Sequence, residues 1–219
     1  RNMRPQGEKI ACLTAYDSSF AQLLDDAGID VILVGDSLGM VIQGGSSTVS
    51  VTMEDMLYHT HCVSSRCQNA LLIADMPFMS YTTLETALHN ATRLMQEAGA
   101  QMVKLEATQR QTEIVAELSA CGIPVCAHLG LRPQYVHKLG SYQTQAKDQV
   151  SAEELLATSI ALEQAGADLL LLECVPAELA SKVTDSVSLP VIGIGAGNHC
   201  NGQILVLQDI LGITAGAPP

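Results

Sequence analysis

Strand-length apolar segments alternate with helix-like segments along all 219 residues, and this order predicts an α/β fold of the (βα)8 TIM-barrel kind. The alternation runs from end to end without a low-complexity linker or a break in composition, so 1–219 is expected to form a single barrel domain. Repeated βα units also imply a parallel sheet, because each right-handed crossover returns the chain beside its previous strand. Several helical stretches stop at glycine, as in DDAGID, QEAGAQ, SACGIP and EQAGAD, where a left-handed cap turns the chain toward the next strand.

Strands are expected at IACLTAYD (10–17), VILVGD (31–36), LLIADMP (71–77), MVKLEA (102–107), PVCAHLG (124–130), LLLLEC (169–174) and PVIGIGAG (190–197). Helices are expected at SSFAQLLDDAG, TMEDMLYHTHCVSSR, TLETALHNATRLMQEAG, TEIVAELSACG, SAEELLATSIALEQAG and AELASKVTDSV. The eighth unit is less regular. Because residues 197–204 are too few for a crossover of about a dozen residues, NGQILVLQDILG is assigned to helix seven and GITAG (212–216) to strand eight. The last helix would then lie beyond Pro219. A doubly wound open sheet is the competing fold, but TAYDSSF after the first strand lacks the glycine-rich loop normal there.

Composition narrows the function. Formal net charge is -12, from 11 Lys+Arg against 23 Asp+Glu, a field that repels nucleic acid and anionic membrane surfaces. An anionic metabolite must therefore be held locally, by a metal or by a few cations such as Lys104. The seven cysteines form no C-x-x-C pair and are expected to be reduced core thiols. No secretory segment opens the sequence and no apolar run reaches the roughly 20 residues of a membrane helix, so a cytoplasmic location is expected.

The segment MVKLEA places Lys104 and Glu106 two residues apart, on one face of a strand. A surface ion pair would explain that strand alone. Yet charged or polar residues recur at the C-terminal ends of the other strands: Asp17, Asp36, Asp75, His128 and Glu173. In a barrel this is the face that carries active sites. Asp17 begins DSS and is expected to cap the following helix. Four carboxylates, Asp36, Asp75, Glu106 and Glu173, around one rim repel one another unless a hard cation is present. Mg2+ suits such oxygen donors, with Asp36 and Asp75 as ligands and Glu106 holding a metal-bound water or ligating weakly. A 2-oxo acid can chelate such an ion through its carboxylate and keto oxygen, which favours loss of a proton beside the carbonyl. Glu173, not needed for the metal, is then the candidate base, and Lys104 the partner of the substrate carboxylate. His128 either donates a hydrogen bond there or is a neutral polar core residue.

The stretches LTAYDSSFAQLLDDAGID, VILVGDSLGMVIQG, STVSVTMEDMLYHT, ADMPFMSY, AGAQMVKLEA, IPVCAHLGLRPQ, LECVPAELA and LPVIGIGAGNHCNGQILVLQDILGIT together resemble the ketopantoate hydroxymethyltransferase family, in order and spacing. VGDSLGM with ADMPFM and AHLGL carries most of the specificity. The resemblance implies a (βα)8 barrel with Mg2+ that transfers a hydroxymethyl group from 5,10-methylenetetrahydrofolate to 3-methyl-2-oxobutanoate, giving 2-dehydropantoate for pantothenate and coenzyme A. It also implies a cytosolic homodecamer whose small-molecule partners are the oxo acid and the folate. By the same likeness Asp36, Asp75 and Glu106 fall at metal-site positions, Glu173 at the base, Ser37, Asp75 and Lys104 at substrate contacts, and His128 in the pocket. The sequence departs from the family pattern at Ala107, where glycine is usual after KLE, at Asn201, where an acidic residue is usual and a helix cap is expected, and in lacking a C-terminal extension.

Two further segments stand out. GIGAGN (193–198) has the look of an anion cradle but is expected to be a tight turn, and Tyr142–Gln149 is a polar stretch suited to a lid or a plain loop. The rival functions are a Mg2+-dependent lyase on the related barrel of isocitrate lyase and phosphoenolpyruvate mutase, whose KKCGH motif is missing, and a non-catalytic scaffold.

Overall fold

The structure, a computed structural model, describes residues 7–214. Eight strands hydrogen-bond in sequence order as a closed barrel: β1 (Ile10–Thr14), β2 (Val31–Val34), β3 (Leu71–Asp75), β4 (Met102–Glu106), β5 (Val125–Gly130), β6 (Leu169–Glu173), β7 (Val191–Ile194) and β8 (Gly202–Leu205). The helices between them are α1 (Ser18–Asp26), α2 (Leu38–Val41), α3 (Met53–Ser64), α4 (Leu84–Gln96), α5 (Thr112–Ala120), α6 (Val136–Leu139), α7 (Gln149–Gln164), α8 (Ala177–Ser186) and α9 (Leu207–Ile210). The expected (βα)8 barrel is thus the fold. The chain divides into two compact units, one of residues 7–10 with 104–203 and one of 11–103 with 204–214.

In the unit that contains β2 and β3, all four residues of β2 are buried, as are four of the five in β3. Such strands are apolar along their length because a parallel sheet covered on both faces leaves neither side to water. They pair parallel, with Val31 opposite Leu71 and Val34 opposite Ala74. Asp17 caps α1, accepting the Ser19 and Phe20 amides at 2.8 and 3.0 Å, as its sequence context predicts. At the far end of α1, buried Asp25 accepts the amides of Gln68, Asn69 and Ala70 and the Asn69 side chain, pinning the loop from α3 to β3. These hydrogen bonds, the one from Ala70 foremost, hold the Asp25 carboxyl below its ordinary pKa.

In the other unit, β6 is the run LLLLE with its four leucines buried, paired parallel to β5 and to β7. Gly28, Gly99, Gly122 and Gly166 all have φ near +80° to +96° just beyond their helices, which is the left-handed stop that the sequence predicts.

A repeated device fixes strand register at the N-terminal ends. The residue immediately before each even-numbered strand uses its side chain to accept a backbone amide from the preceding strand. Asp30 takes Ala11 N–H at 2.8 Å, Gln101 takes Leu72 at 3.0 Å, Asp168 takes Val125 at 3.2 Å and Asn201 takes Val191 at 2.9 Å. Asn201 is therefore the fourth clamp of a series, and the cap role expected for it is corrected.

Strand eight is also corrected. It is Gly202–Leu205, inside the segment assigned to helix seven, and only seven residues, 195–201, separate it from β7. Ile192 nonetheless pairs parallel with Gly202, and Gly193 with Gln203. The short crossover works because Gly195 and Gly197, at φ +59° and +79°, reverse the chain without a helix, while Gly202 approaches the Ile10 carbonyl too closely for any side chain. Burial alternates along β8, with Gly202 and Ile204 inside and Gln203 and Leu205 outside, a period-2 pattern that marks a strand. The segment 193–198 is the tight turn expected. Within the expected strand GITAG, residues 215 and 216 lie outside the described residues, and 212–214 form no strand.

Two stability outcomes follow. Replacing Asp25 with Ala leaves at least three loop amides without their acceptor and is expected to cost about 2 kcal/mol or more in denaturant unfolding. Because folding lowers this carboxyl's pKa, its contribution is present above about pH 4 and is lost as pH falls below that, so wild type and variant converge in stability under acid. At the fourth clamp, Asn201→Asp should hold stability near wild type, whereas Asn201→Ala should lose about 1 kcal/mol in the same measurement.

Candidate functional site

The first cluster belongs to the unit of residues 11–103 and 204–214. Asp36 lies two residues beyond β2 and Asp75 is the last residue of β3; both are buried, at 5% and 2% exposure. Asp75 Oδ2 accepts the Asp36 backbone N–H at 2.9 Å, so one carboxylate is aimed by the backbone of the other's loop. Gly35 makes room for this. A Cβ there would come within 2.8 Å of Ser37 Oγ and 3.4 Å of Asp75 Oδ2, so a glycine is needed for the hydroxyl and the carboxylate to stand this close to the backbone.

Sequence reasoning missed Tyr16. Buried at 2% exposure just after β1, its hydroxyl lies 2.8 Å from Ser37 Oγ, and its backbone carbonyl lies 2.7 Å from His59 Nδ1 on α3. Burial is the main cause of a phenol pKa pushed up to about 12; hydrogen bonds to Ser37 and Thr14 oppose that, and the charges of Asp75 and Asp36 add to it. Tyr16 thus remains a neutral hydroxyl beside two carboxylates. The signal in the sequence was the tyrosine within TAYD, placed before the acid that drew notice as a cap.

The second cluster belongs to the unit of residues 7–10 and 104–203. Lys104 and Glu106 are both buried within β4, at 7% and 2% exposure, so a surface ion pair is excluded as the explanation of MVKLEA. Glu106 Oε1 accepts the Gln134 backbone N–H at 3.0 Å. Ala107, in the position where the sequence departs from a glycine, is buried and donates its N–H to the His128 carbonyl at 2.8 Å.

His128 on β5 is 2% exposed, with Nε2 3.2 Å from Glu173 Oε2; the distance suits charge pairing, and the alignment is poor for a hydrogen bond. Glu173 ends β6 with its side chain 19% exposed.

The backbone around Glu173 is held on three sides. Its carbonyl accepts Leu131 N–H at 2.8 Å, and Gly130, at φ +89°, lies so close that a Cβ there would sit 2.3 Å from that carbonyl oxygen. The next residue, Cys174, has φ +47° and accepts the Gln145 N–H at 2.8 Å. Gln145 and Ala146 are the partly covered residues of the otherwise exposed stretch Tyr142–Gln149, so the polar segment suited to a lid is tied at its middle to the end of β6. Among the described residues all seven cysteines are free, but the expected core placement holds only for Cys12, Cys126 and Cys200, while Cys121 is exposed and the other three are partly covered.

Among the described residues, no three Asp, Glu, His or Cys side chains gather into a ready-made metal cage. Paired carboxylates with nearby hydroxyls instead match the needs of a hard cation that keeps several of its waters. No helix of the described residues is long and apolar enough to cross a membrane.

Comparison with known proteins bears on the fold and on the family. Solved barrels of similar shape include phosphonopyruvate hydrolase in complex with oxalate and Mg2+ (TM-score 0.73, 15% identity, covering 96% of this chain and 80% of that one). Another is 2,3-dimethylmalate lyase, of the PEP mutase/isocitrate lyase superfamily (TM-score 0.67, 17% identity, covering 93% and 78%). At such identities they establish the fold alone. The sequence is 61% identical over 219 residues to the 3-methyl-2-oxobutanoate hydroxymethyltransferase of Alkalilimnicola ehrlichii, spanning all of this chain and 79% of that protein. It is 58% identical to the enzyme of the same name from Nitrosococcus oceani, spanning all of this chain and 83% of the relative. The model of the ketopantoate hydroxymethyltransferase family matches residues 1–219, and the chain is accordingly a transferase that belongs to that family.

Proposed function

We propose that this protein transfers a hydroxymethyl group from 5,10-methylenetetrahydrofolate to 3-methyl-2-oxobutanoate, forming 2-dehydropantoate, with Mg2+ as its metal. The observation that carries the reading is the unequal surroundings of its carboxylates: Asp36 and Asp75 are buried together, while Glu173 is partly open and paired with an imidazole. Carboxylates placed in such different environments suit different roles. Asp36 and Asp75 fit Mg2+ by donor type and by their burial together beside the Ser37 and Tyr16 hydroxyls, with Glu106 as a third acidic contributor. When bound, the ion would supply a Lewis acid that polarises the oxo acid's carbonyl.

The chain's own residues do the rest. Glu173 takes the C3 proton of the oxo acid, His128 steadies the carboxylate through the change in its charge, and Lys104 pairs with the substrate carboxylate. The electrons of the broken C–H bond then form the new carbon–carbon bond to the folate's one-carbon unit. Water supplies the hydroxyl oxygen, and tetrahydrofolate leaves. Tyr16 holds the Ser37 hydroxyl toward the substrate, and because its own pKa stands at about 12 it does so across the working pH range. Membership of a homodecamer in the cytoplasm is part of the same proposal.

Glu173→Gln is expected to abolish deuterium exchange at C3 of 3-methyl-2-oxobutanoate, followed by proton NMR, while Mg2+ affinity by calorimetry stays near wild type. Persistent exchange would remove Glu173 as the base. Tyr16→Phe should raise KM for the oxo acid about fivefold, the value of one hydrogen bond, and change kcat less. An unchanged KM would mean that Ser37 needs no support from the phenol.

A further inference from the structure

Arg132 is a cation beside the second cluster to which the roles above give no task. It lies two residues past the end of β5, in the loop whose Leu131 N–H binds the Glu173 carbonyl and whose Gln134 N–H binds Glu106 Oε1. Its backbone is therefore fastened on either side to two residues of the second cluster. The loop continues as a 3-10 turn, Pro133–Tyr135, closed by the Tyr135 N–H on the Arg132 carbonyl at 2.9 Å. Side chains three apart eclipse in such a turn, and the guanidinium carbon accordingly sits 4.2 Å from the centre of the Tyr135 ring.

Stacking satisfies the face of the guanidinium and leaves its edge. Nη1 is buried and has no hydrogen-bond partner among the described residues. A guanidinium edge presents donors in a fixed plane matched to a carboxylate, and a buried donor without a partner calls for an explanation.

We infer that Arg132 binds a substrate carboxylate, and specifically the glutamyl carboxylate of the folate co-substrate. This rests on the proposed function. The choice between the two carboxylate-bearing substrates follows from depth: Lys104 is buried in the body of β4 and suits the small oxo acid, whereas half-buried Arg132 is on a loop past a strand end, where a longer ligand extends. Tyr135 holds the planar group in place, so little side-chain freedom is lost on binding.

Calorimetric titration of the full chain with tetrahydrofolate, with tetrahydropteroate, which lacks the glutamyl group, and with 3-methyl-2-oxobutanoate tests this. Wild type should bind tetrahydrofolate more tightly than tetrahydropteroate. Arg132→Gln should raise the Kd for tetrahydrofolate about tenfold, abolish the difference between the two pterins and leave the Kd for the oxo acid unchanged. Arg132→Lys, which keeps the charge and loses the planar fork, should recover part of the loss. Thermal melts of both variants establish that they are folded. A tetrahydrofolate Kd within twofold of wild type in folded Arg132→Gln overturns the inference, and so does a weakening confined to the oxo acid. Failure of wild type to bind either pterin would instead overturn the proposed function, and the inference with it.

Discussion

Strand register is the constraint on which the rest depends. Side chains alternate in direction along a strand, so a slip of one residue would turn Asp75, Glu106 or Glu173 away from the face that it serves. The register is fixed at the opposite ends of the strands, by Asp30, Gln101, Asp168 and Asn201, each accepting an amide of the strand before. All four occupy the same place in their units, one residue before an even-numbered strand. Chemistry at one end of the strands thus relies on a hydrogen-bond pattern at the other, and that pattern is independent of the functional residues.

The strand ends then require local room. Gly35 lets the Ser37 hydroxyl and the Asp75 carboxylate come close, and Gly130 lets the β5 loop pass within a Cβ's reach of the Glu173 carbonyl. A side chain at either position would displace a functional group without touching its chemistry. The same economy holds for Tyr16, whose phenol is kept neutral mainly by burial and so can stand beside two carboxylates as a hydrogen-bonding group rather than a third anion.

Much of this was legible. The period of the apolar segments, the glycines after four helices and the Asp17 cap follow from local rules, and the structure reproduces them. The acids at the strand ends were legible because a charged residue within an apolar run is rare and conspicuous. Strand eight is not where crossover length alone puts it, because two left-handed glycines allow a connection without a helix, and that is a tertiary fact. Tyr16 and Arg132 escaped for a different reason. A tyrosine in an apolar strand and an arginine in a loop are ordinary in sequence, and only the Ser37 contact of the first and the Tyr135 stacking of the second give them a role.

Backbone strain marks the end of β6. Among the described residues Met79, Ala146 and Cys174 are the non-glycine residues at positive φ. Ala146 follows directly on the donor, and Cys174 supplies the acceptor, of one hydrogen bond, Gln145 N–H to the Cys174 carbonyl. Each such conformation costs about 1–2 kcal/mol and persists only where the surroundings over-determine it. Here the surroundings are the parallel pairing of β6 with β5 and β7 and the Leu131 contact to Glu173. Packing of the strand therefore sustains an unfavourable backbone at the residue after the proposed base, and a segment of the chain far in sequence is held there as a result.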